Sequence, residues 1–449
     1  MDRIAIIGGG LAGSLLAIYL ARRGLRVQVY EARNDLRTTG FTGGRSINLA
    51  LSDRGISALS RVGMDDYMLA EAVPMRGRMI HLPDGTTTLL PYSGRNGEYI
   101  YSVSRGGLNA ALISAAERFP EISFHFNEKC VSADLSTGAV RFESGLEIAA
   151  DTIIAADGAG STIREALNEY LPEMDVRQTF LEHGYKELHI PPALGNKGFA
   201  IEPNALHIWP RHQFMMIALP NLDGSFTATL FLARIGNPSF ESLRDENAVR
   251  DFFEREFPDA LPLMPTLMKD FFSNPTGQLG TLRARVWHYR GRVLLIGDAA
   301  HAMVPFYGQG MNCAFEDVSV LDDLIDKHLF NWEAIFAEFE SLRMPQAEAI
   351  QQMAEDNFYE MRDATADPVF RRKRELETFL EQRYPDYFSK YSMVTFREDL
   401  PYTVARDLGN AQDRLLMEIC RNVETIGELN VADVHRRLMS IAPQSQKDV

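Results

Sequence analysis

The first 31 residues restrict the fold of this chain more than any other stretch. An aliphatic run from Ile4 to Ile7 leads into the motif Gly8-x-Gly10-x-x-Gly13, which is followed by a helix-like segment and by a second apolar run that ends at Glu31. This order predicts a strand, a tight turn, a helix and a second strand, the unit that opens a Rossmann-like nucleotide-binding domain. The first glycine permits the turn, the second lets the backbone approach a pyrophosphate, and the third lets the helix pack close to the strand. A dinucleotide site is therefore expected here.

Glu31 narrows the choice of nucleotide. It is placed to accept hydrogen bonds from a pair of ribose hydroxyl groups, and its carboxylate would repel a 2′-phosphate, so the nucleotide held here is not NADP. The chain contains no second glycine motif of this kind. If the nucleotide were NAD and the protein an ordinary dehydrogenase, the acidic residue at position 298, in another glycine-containing stretch, would have no explained role.

That second stretch, LLIGDAAHAMVPFYGQGMN at residues 294–312, combines an aliphatic run, an acidic residue and several glycines. A short aliphatic run predicts a buried strand, and glycine-rich turns after such strands let a ligand approach the main chain. Taken alone, the stretch also fits an ordinary strand-to-helix connection. An FAD is extended, however, and its ribityl chain and ring need a second support far along the sequence, a role that suits this stretch.

Three Asp-Gly pairs occur in the chain, and their flanking sequences separate them. Asp84-Gly85 and Asp223-Gly224 lie between strand-like runs, which predicts hairpin turns. Asp157-Gly158 instead follows an apolar strand and precedes a helix start, where Ser161 or Thr162 can cap the helix. A strand-to-helix turn of this kind belongs to the nucleotide-binding domain.

Composition excludes several classes of protein. The 449 residues exceed one typical core, so two or three domains are expected. The net charge of −15 argues against nucleic acid or an anionic membrane as a partner. The three cysteines are odd in number and widely spaced, which favours a reducing compartment over a disulfide framework or a metal cluster. The uncharged run from Ile4 to Ala21 is interrupted by three glycines and has no basic flank, so we interpret it as part of the fold rather than as a membrane span or signal peptide.

The N-terminal glycine motif, the Asp157-Gly158 turn and the Gly297-Asp298 element together resemble the single-component FAD-dependent aromatic hydroxylases. Within that family, longer stretches in the right order resemble the kynurenine 3-monooxygenases over nearly the whole chain. These stretches are GRSINLALSDRG, MRGRMIHLPDG, YSVSRGGLN, LHIWPR, LPNLDGSFTATLF, GDAAHAMVPFYGQGMN and YSMVTF. The resemblance implies an α/β fold with a Rossmann-like FAD-binding domain, a mostly antiparallel β-sheet substrate domain and a helical C-terminal region.

The resemblance also implies which residues hold bound FAD. Asp298 would accept a hydrogen bond from the ribityl chain, and the helix that starts near Gly310 would point its positive end at the ring. Arg105 matches a family residue that contacts FAD, although an arginine at a helix start is also typical of a solvated surface. The full set of implied cofactor contacts is Gly8, Gly10, Leu11, Ala12, Gly13, Glu31, Arg33, Ala50, Arg105, Asp157, Thr162, Asp298, Gly310, Met311 and Asn312.

The reaction implied by the resemblance is hydroxylation of L-kynurenine to 3-hydroxy-L-kynurenine, a step of tryptophan degradation and NAD biosynthesis. In the family, NADPH reduces FAD, O₂ adds to the reduced flavin, and the resulting hydroperoxide passes one oxygen atom to an aromatic carbon. Because the flavin carries this chemistry, the protein orients the substrate and excludes water, and neither a catalytic side chain nor a metal ion is expected. The ten histidines are scattered, and we interpret His207 and His212 as structural.

A kynurenine pocket needs a cation for the carboxylate and an apolar slot for the ring. Arg78 and Tyr92 match the family's carboxylate-binding pair. If Asp84-Gly85 makes a two-residue turn, Arg78 faces residue 91, and a bulge or a longer loop would bring Tyr92 opposite. Because an arginine on a strand is also typical of a solvated surface, the residues alone leave this role open.

A helical segment supplies further implied contacts. Asn357, Glu360 and Met361 are spaced i, i+3 and i+4 and therefore share one helix face, which fits a packing face as well as a substrate site. The family match makes Asn357 a substrate contact, together with Tyr391, whereas Tyr307 departs from the Phe or His expected there. The apolar wall implied by the resemblance consists of Leu206, Met215, Leu219, Phe231, Pro305 and Phe306.

Three regions are expected along the chain. The predicted FAD-binding domain comprises residues 1–72, 101–175 and 277–330, and the predicted substrate domain comprises residues 73–100 and 176–276. Residues 331–449 have helical spacing, with Pro345 at a helix start. Some family members carry a C-terminal membrane anchor, whereas this chain ends in polar residues. We expect a soluble, cytoplasmic enzyme that is a monomer or homodimer and that binds neither nucleic acid nor membrane.

Three other interpretations fit parts of the sequence. A hydroxylase of another aromatic acid on the same fold is the nearest. A flavin halogenase would carry a pocket lysine beside a WxWxIP-like motif, which the sequence lacks. A flavoprotein that serves as a redox-gated interaction module would need a partner-binding domain, for which residues 331–449 are the candidate.

Overall fold

The computed structural model describes residues 3–39, 48–193, 198–363 and 367–441. The first four residues of the GRSINLALSDRG stretch lie outside these ranges. The chain divides into two compact units. The three regions expected from the sequence, with their boundaries, stay a prediction. The first unit comprises Met1–Ala70, Ser104–Phe180 and Gly280–Gln351, and the second comprises Glu71–Val103, Leu181–Leu279 and Gln352–Val449.

The strands and helices of the described residues follow in chain order. The strands are β1 (Ile4–Ile7), β2 (Val27–Glu31), β3 (Asn48–Leu51), β4 (Val73–Met75), β5 (Gly77–His81), β6 (Thr87–Pro91), β7 (Ile100–Ser104), β8 (Ile122–Phe126), β9 (Cys130–Asp134), β10 (Ala139–Phe142), β11 (Glu147–Ala149), β12 (Thr152–Ala155), β13 (Arg177–Ile190), β14 (Ala205–Arg211), β15 (Phe214–Pro220), β16 (Phe226–Ala233), β17 (Gly277–Arg283), β18 (His288–Tyr289) and β19 (Val293–Leu295). The helices are α1 (Leu11–Arg22), α2 (Leu36–Thr39), α3 (Asp53–Ser60), α4 (Asp65–Ala70), α5 (Arg105–Ala116), α6 (Thr162–Tyr170), α7 (Glu246–Glu256), α8 (Leu267–Ser273), α9 (Asp298–His301), α10 (Gly310–His328), α11 (Trp332–Asp363), α12 (Pro368–Arg383), α13 (Lys390–Thr395), α14 (Tyr402–Arg421) and α15 (Val431–Met439).

A mainly parallel sheet forms the centre of the first unit. Its strand order is β18-β19-β12-β1-β2-β8, and only β18 with β19 is antiparallel. In β1, Ile4 pairs with Val27 of β2 on one side and with Thr152 of β12 on the other. All residues of β1 and β12 are buried, as is usual for the central strands of a parallel sheet. This topology confirms the predicted Rossmann-like unit.

A seven-stranded sheet organises the second unit, in the order β17-β13-β16-β15-β14-β5-β6. From β13 to β6, every neighbouring pair is antiparallel except β14 with β5. One face of the sheet packs on a large apolar core that contains Trp209, Met216 and Leu230 together with Phe252 and Phe253 of α7. The mostly antiparallel sheet predicted for this part of the chain is therefore confirmed.

The hairpin of β5 and β6 differs in register from the sequence-based expectation. Arg78 pairs with Leu90, so neither residue 91, expected for a two-residue turn, nor Tyr92, expected for a bulge or a longer loop, lies directly opposite it. The turn is longer because the Asp84 carboxylate accepts a hydrogen bond from the backbone N–H of Thr86 at 2.9 Å, and the N–H of Leu82 donates to the carbonyl oxygen of Thr86 at 2.9 Å. A side-chain bond to the backbone two residues ahead stabilises such wider turns.

Helix α11 continues through Pro345, so the prediction that this proline begins a helix is wrong. A proline inside a helix costs about 3 kcal/mol because it lacks the N–H donor and crowds the preceding turn. Large apolar side chains are buried on both sides of it, including Ile335, Phe339 and Ile350. Each contributes about 1.5–3 kcal/mol, so their packing outweighs the local preference of one residue.

Helices α12, α14 and α15 of the second unit share a smaller apolar core that includes Leu376, Leu380 and Leu416. Ion pairs lie beside it, since Asp413 of α14 is 2.5 Å from Nζ of Lys373 and 2.6 Å from Nζ of Lys390. Among the described helices, none is both long and apolar enough to cross a membrane.

His207 of β14 is part of a buried hydrogen-bonded pair, in agreement with its structural interpretation. Its Nδ1 lies 2.8 Å from Nε2 of His81, and its Nε2 lies 2.8 Å from the carbonyl oxygen of Glu202. Burial lowers the pKa of His207 to about 4. An unfolded histidine titrates near 6.5, so the unfolded state binds more protons between these values.

We therefore expect the free energy of unfolding to fall by up to about 3 kcal/mol on acidification from pH about 6.5 to about 4. Urea unfolding of the protein and of His207→Gln across this range measures the effect. The variant should show a shallower loss of stability with falling pH, and equal slopes in the two proteins would contradict the assignment.

Candidate functional site

The glycine-rich turn between β1 and α1 leaves no room for larger residues at two of its three motif positions. Gly8 has a φ of +105°, and a Cβ atom there would lie 2.3 Å from the carbonyl oxygen of Ala156. A Cβ atom on Gly13 would lie 1.9 Å from the carbonyl oxygen of Gly8. A Cβ atom on Gly10 would meet no protein atom within 4 Å. The outer two glycines therefore serve the packing of the turn, and the middle one borders open space.

That open space is part of a cleft beside the glycine motif. Five of the predicted cofactor residues line it, and the other six lining residues were not predicted. Asn109 could have been predicted from the sequence, because it lies one helical turn after Arg105 on α5. The lining consists of Gly9, Gly10, Leu11, Glu31, Arg33, Asn34, Leu36, Arg105, Asn109, Ile113 and Phe126.

Glu31 holds the turn in place from the end of β2. One carboxylate oxygen accepts the backbone N–H of Gly9 at 2.8 Å, and the other accepts the backbone N–H and Nε of Arg33 at 3.0 and 2.9 Å. Asn109 donates from Nδ2 to the carbonyl oxygen of Gly9 at 3.3 Å. A carboxylate has about four acceptor positions, and three are used here, so Glu31 keeps about one for a ribose hydroxyl group of a nucleotide.

The Asp157-Gly158 turn lies directly beside the glycine motif. A Cβ atom on Gly8 would be 2.8 Å from the Cα of Asp157. One oxygen of the Asp157 carboxylate accepts the backbone N–H of Thr162 at the start of α6 at 3.0 Å, and Ser161 caps that helix as predicted. The other oxygen is buried and has no hydrogen-bond partner among the described residues. Burial raises the pKa of Asp157. An additional hydrogen-bond donor would stabilise the charged form of this carboxyl group.

The Gly297-Asp298 turn joins β19 to α9 and lies against α1. Gly297 has a φ of +56°, and a Cβ atom on it would be 3.5 Å from that of Ala12. Asp298 is exposed as the first residue of α9. The backbone N–H of Gly297 donates to the carboxylate of Asp317 at 3.0 Å. The turn therefore presents an accessible carboxylate next to the glycine motif.

Asp317 of α10 is fully buried and fixes this turn through several partners. Its oxygens lie 2.6 Å from Nε2 of His301 and 2.7 Å from Nε of Arg343. Burial alone would raise the pKa of Asp317, but the charges of His301 and Arg343 outweigh it and lower the pKa. His301, Cys313 and Asp317 are close enough to suggest a metal site, yet these protein donors already engage both carboxylate oxygens.

The start of α10 is tied to β3. Asn312 accepts the backbone N–H of Ser52 at 3.0 Å and donates to the carbonyl oxygens of Ala50 and Gly308 at 2.8 and 2.9 Å. Its side chain is thus used within the protein, and a ligand would meet the free backbone N–H groups at the start of the helix, at Gly310 and Met311. The predicted cofactor residues of the first unit therefore come from five separate parts of the sequence: residues 8–33, Ala50, Arg105, residues 157–162 and residues 298–312.

In the second unit, five predicted substrate residues lie on one face of the seven-stranded sheet. The register places Arg78 beside Leu206 and Met215 beside Phe231. Strand alternation puts these residues and Leu219 on the face opposite the Trp209 core. Met215 and Phe231 are buried. The sheet therefore brings these five side chains to one face, with Arg78 on the strand next to its edge.

Arg78 stands beside two stacked tyrosines. The rings of Tyr92 and Tyr391 have centroids 5.1 Å apart and planes inclined by 12°, and the guanidinium carbon of Arg78 lies 5.7 and 4.9 Å from these centroids. The backbone N–H of Tyr92 donates to the carbonyl oxygen of Arg76, which places Tyr92 diagonally across the hairpin from Arg78, on the same face. Nε of Arg78 and the hydroxyl of Tyr92 are buried without a hydrogen-bond partner among the described residues.

Both tyrosines are neutral at physiological pH, since burial raises the pKa of Tyr92 well above its usual value and that of Tyr391 as well. The Tyr92 hydroxyl, which has no partner among the described residues, can therefore donate to an anion. The half-buried guanidinium of Arg78, with its buried Nε, and the Tyr92 hydroxyl form a suitable site for a carboxylate.

The predicted helical contacts lie near the C-terminal end of α11. Asn357 and Met361 are buried, and Nδ2 of Asn357 donates to the sulfur of Met361 at 3.4 Å. The intervening Phe358 packs edge-on against His183 of β13, with ring centroids 5.0 Å apart. His183 has the same alternation as Phe231 along the β13–β16 pair, so α11 covers the face of the sheet that carries Arg78. Glu360 is half-buried on the same helix.

Pro305 and Phe306 belong to the first unit, in a short 3-10 turn before α10. Phe306 is buried and Pro305 is exposed. Their predicted substrate contact stays a prediction.

Comparisons with known proteins show the family and the fold of this chain. A family model described as "FAD binding domain" matches residues 2–354. A kynurenine 3-monooxygenase of Stenotrophomonas maltophilia is 46% identical over 98% of this chain and 97% of its own length, and one of Dictyostelium discoideum is 44% identical over 96% of both. Among solved structures, the tetrameric form of 2-methyl-3-hydroxypyridine-5-carboxylic acid oxygenase has a TM-score of 0.66 at 21% identity and covers 84% of this chain and 97% of its own.

The similarity to the kynurenine 3-monooxygenase of Stenotrophomonas maltophilia extends over nearly the full length of both proteins. The structural likeness at 21% identity supports the fold. The predicted resemblance is confirmed, and FAD is the cofactor that the glycine turn, the Asp157 turn and the Asp298 turn fit. The chain belongs to the kynurenine 3-monooxygenase family of FAD-dependent enzymes.

Proposed function

We propose that this protein hydroxylates L-kynurenine to 3-hydroxy-L-kynurenine, with NADPH and O₂ as co-substrates. The observation that carries the proposal is the cluster of Arg78, Tyr92 and Tyr391, in which a guanidinium group with a buried, unsatisfied Nε lies beside two neutral tyrosines. The relatives that are 44–47% identical to this chain bear the name of this activity. Together these findings favour a substrate that carries an aromatic ring and a carboxylate.

The amino-acid end of kynurenine suits this cluster. An arginine and a carboxylate form charge-assisted hydrogen bonds, which are roughly twice as strong as neutral ones. The Tyr92 hydroxyl adds a donor, and the amide oxygen of Asn357 is of the acceptor type that an ammonium or aniline N–H requires. The aniline ring would lie on the apolar side chains of the sheet face, among which Met215 and Phe231 are buried.

FAD, when bound, supplies the transfer of reducing equivalents and the activation of O₂. The residues of this chain hold it. The N–H groups of the glycine turn and of the start of α1 suit the pyrophosphate, and Glu31 suits the ribose. Asp298 suits the ribityl hydroxyl groups, and the N-terminus of α10 stabilises negative charge on the ring.

Asp298→Ala is expected to weaken FAD binding about tenfold, because one charged acceptor for a hydroxyl donor contributes about 1.5 kcal/mol or more. Titration of the apoprotein with FAD, followed by flavin fluorescence, measures the dissociation constant. Asp323→Ala, on the later part of α10, is the control, because this exposed carboxylate pairs with Arg61 and should leave FAD binding as in the parent. A variant at 298 with unchanged affinity would remove this residue from the cofactor site.

The function itself is tested by following NADPH oxidation with and without L-kynurenine and by determining the mass of the product. Kynurenine should accelerate NADPH oxidation and gain one oxygen atom. An analogue that keeps the aniline ring and ketone but lacks the amino-acid end, 2-aminoacetophenone, should be a poor substrate. A yellow protein that turns over another aromatic acid but not kynurenine would favour the alternative hydroxylase.

We also propose a cytoplasmic location and a monomeric or homodimeric state. Cys130, Cys313 and Cys420 are buried free thiols, which is typical of proteins in reducing compartments. Light scattering of the purified protein measures the oligomeric state.

A further inference from the structure

The Tyr92–Tyr391 stack joins two segments that are distant in sequence. Tyr92 directly follows β6, whereas Tyr391 is in α13. An aromatic pair adds little beyond the area that it buries, so the stack by itself fixes its two segments weakly. Another contact has to hold them in register.

Glu381 of α12 makes that contact. One oxygen of its carboxylate accepts the backbone N–H of Gly94 at 2.9 Å, and the other accepts the backbone N–H of Ser389 at 2.9 Å. Gly94 lies two residues after Tyr92, and Ser389 lies two residues before Tyr391. A single carboxylate, 4% exposed, therefore bridges the two tyrosine-bearing segments.

The surrounding contacts leave little freedom at this bridge. A Cβ atom on Gly94 would lie 2.3 Å from the carbonyl oxygen of Thr378, so the backbone of this segment lies directly on α12. Arg95 donates to the carbonyl oxygen of Tyr387, and its guanidinium carbon lies 3.8 Å from the ring centroid of Phe388. Nη1 of Arg95 is 3.7 Å from Glu381, which supplies a cation near the buried carboxylate.

We propose that Glu381 is a positioning residue for the amino-acid end of the substrate and that it acts through the Tyr92–Tyr391 stack. This inference rests on the proposed function of Arg78, Tyr92 and Tyr391. A glutamine at position 381 offers an oxygen to only one of the two N–H groups and turns its own NH₂ group toward the other. One tyrosine segment is then released, and the hydroxyl groups lose their alignment with the guanidinium of Arg78.

Glu377 provides a matched control. It lies one turn earlier on α12, is 2% exposed, and pairs with Nζ of Lys373 at 3.3 Å and with Nη1 of Arg374 at 2.8 Å. Glu381→Gln and Glu377→Gln therefore both remove a buried charge from the same helix, but only the first change affects the bridge between Gly94 and Ser389.

Steady-state kinetics with L-kynurenine separate positioning from general damage. Glu381→Gln should raise KM about tenfold and leave kcat within about twofold, since the interactions lost serve binding of the substrate. Glu377→Gln should leave KM unchanged. In a Tyr391→Phe background the effect of Glu381→Gln on KM should fall below about threefold, because the two changes then act on one unit. An equal KM for the two glutamine variants, or additive effects, would overturn the proposal.

A crystal structure of Glu381→Gln tests the same idea without any substrate. The ring centroids of Tyr92 and Tyr391, 5.1 Å apart in the parent, should separate, or the rings should lose their parallel arrangement. If the parent fails to respond to kynurenine and the stack still moves in the variant, the proposed substrate is wrong and the positioning role stands. An unmoved stack would overturn the positioning role, whatever the substrate.

Discussion

Arg78→Ala is expected to raise the KM for kynurenine at least tenfold while FAD stays bound. The guanidinium group lies beside the Tyr92–Tyr391 stack, and its buried Nε has no hydrogen-bond partner among the described residues. A charge-assisted hydrogen bond to the substrate carboxylate contributes about 1.5–3 kcal/mol, which corresponds to a factor of ten or more in binding. Steady-state kinetics and the flavin absorbance of the purified variant measure the two quantities.

Arg76→Ala is the control for this variant, because Arg76 is exposed and lies two residues earlier in the same segment. It should leave KM unchanged. Arg78→Lys should fall between the parent and the alanine variant, since lysine keeps the charge but lacks the planar pair of donors that matches a carboxylate. If Arg78→Ala binds kynurenine as tightly as the parent, the carboxylate is held elsewhere.

Gly10→Ala is expected to raise the dissociation constant of FAD about a hundredfold, equivalent to about 2.7 kcal/mol, without loss of folding. Its φ is −71°, a value that alanine adopts readily, and a Cβ atom there meets no protein atom within 4 Å. The added methyl group would therefore occupy the space through which the pyrophosphate reaches the backbone. FAD titration of the apoprotein and thermal unfolding of the same sample measure affinity and stability.

Gly13→Ala and Gly427→Ala complete this test. The first places a Cβ atom 1.9 Å from the carbonyl oxygen of Gly8 and should destabilise the apoprotein itself. The second adds an atom 3.7 Å from its nearest neighbour, in the second unit, and should change neither property. A Gly10→Ala variant that binds FAD normally would show that the cofactor does not approach this position.

Much of the first unit could be predicted from sequence because its signals are local. The aliphatic run of β1, the glycines that follow it and Glu31 lie within one continuous stretch, and each has a steric or electrostatic requirement that few residue types meet. The hairpins at Asp84 and Asp223 and the cap at Ser161 were likewise readable from neighbouring residues. The roles of distant residues such as Asp298 came from family resemblance.

Local signals failed where the deciding interaction was not local. The register of Arg78 was missed for a different reason: the turn is longer than two residues, with a local bond from Thr86 to Asp84 that the Asp-Gly pair alone does not specify. The continuation of α11 through Pro345 depended on apolar packing along the helix. Asn109 carried a weak signal, its spacing from Arg105, and its role became visible only when α5 was seen beside Gly9.

The sequence by itself determined the nucleotide-binding unit, the alternation of the substrate sheet and the identity of the family, because these depend on short patterns and on the order of long matching stretches. Only the tertiary structure decided how Tyr92 meets Tyr391, how Glu381 bridges their segments and how Asp317 holds the Asp298 turn. Each of these contacts joins residues that are separated in the sequence. They meet because whole helices and strands pack together. Their distances are set by the sum of many buried contacts, which no local pattern records.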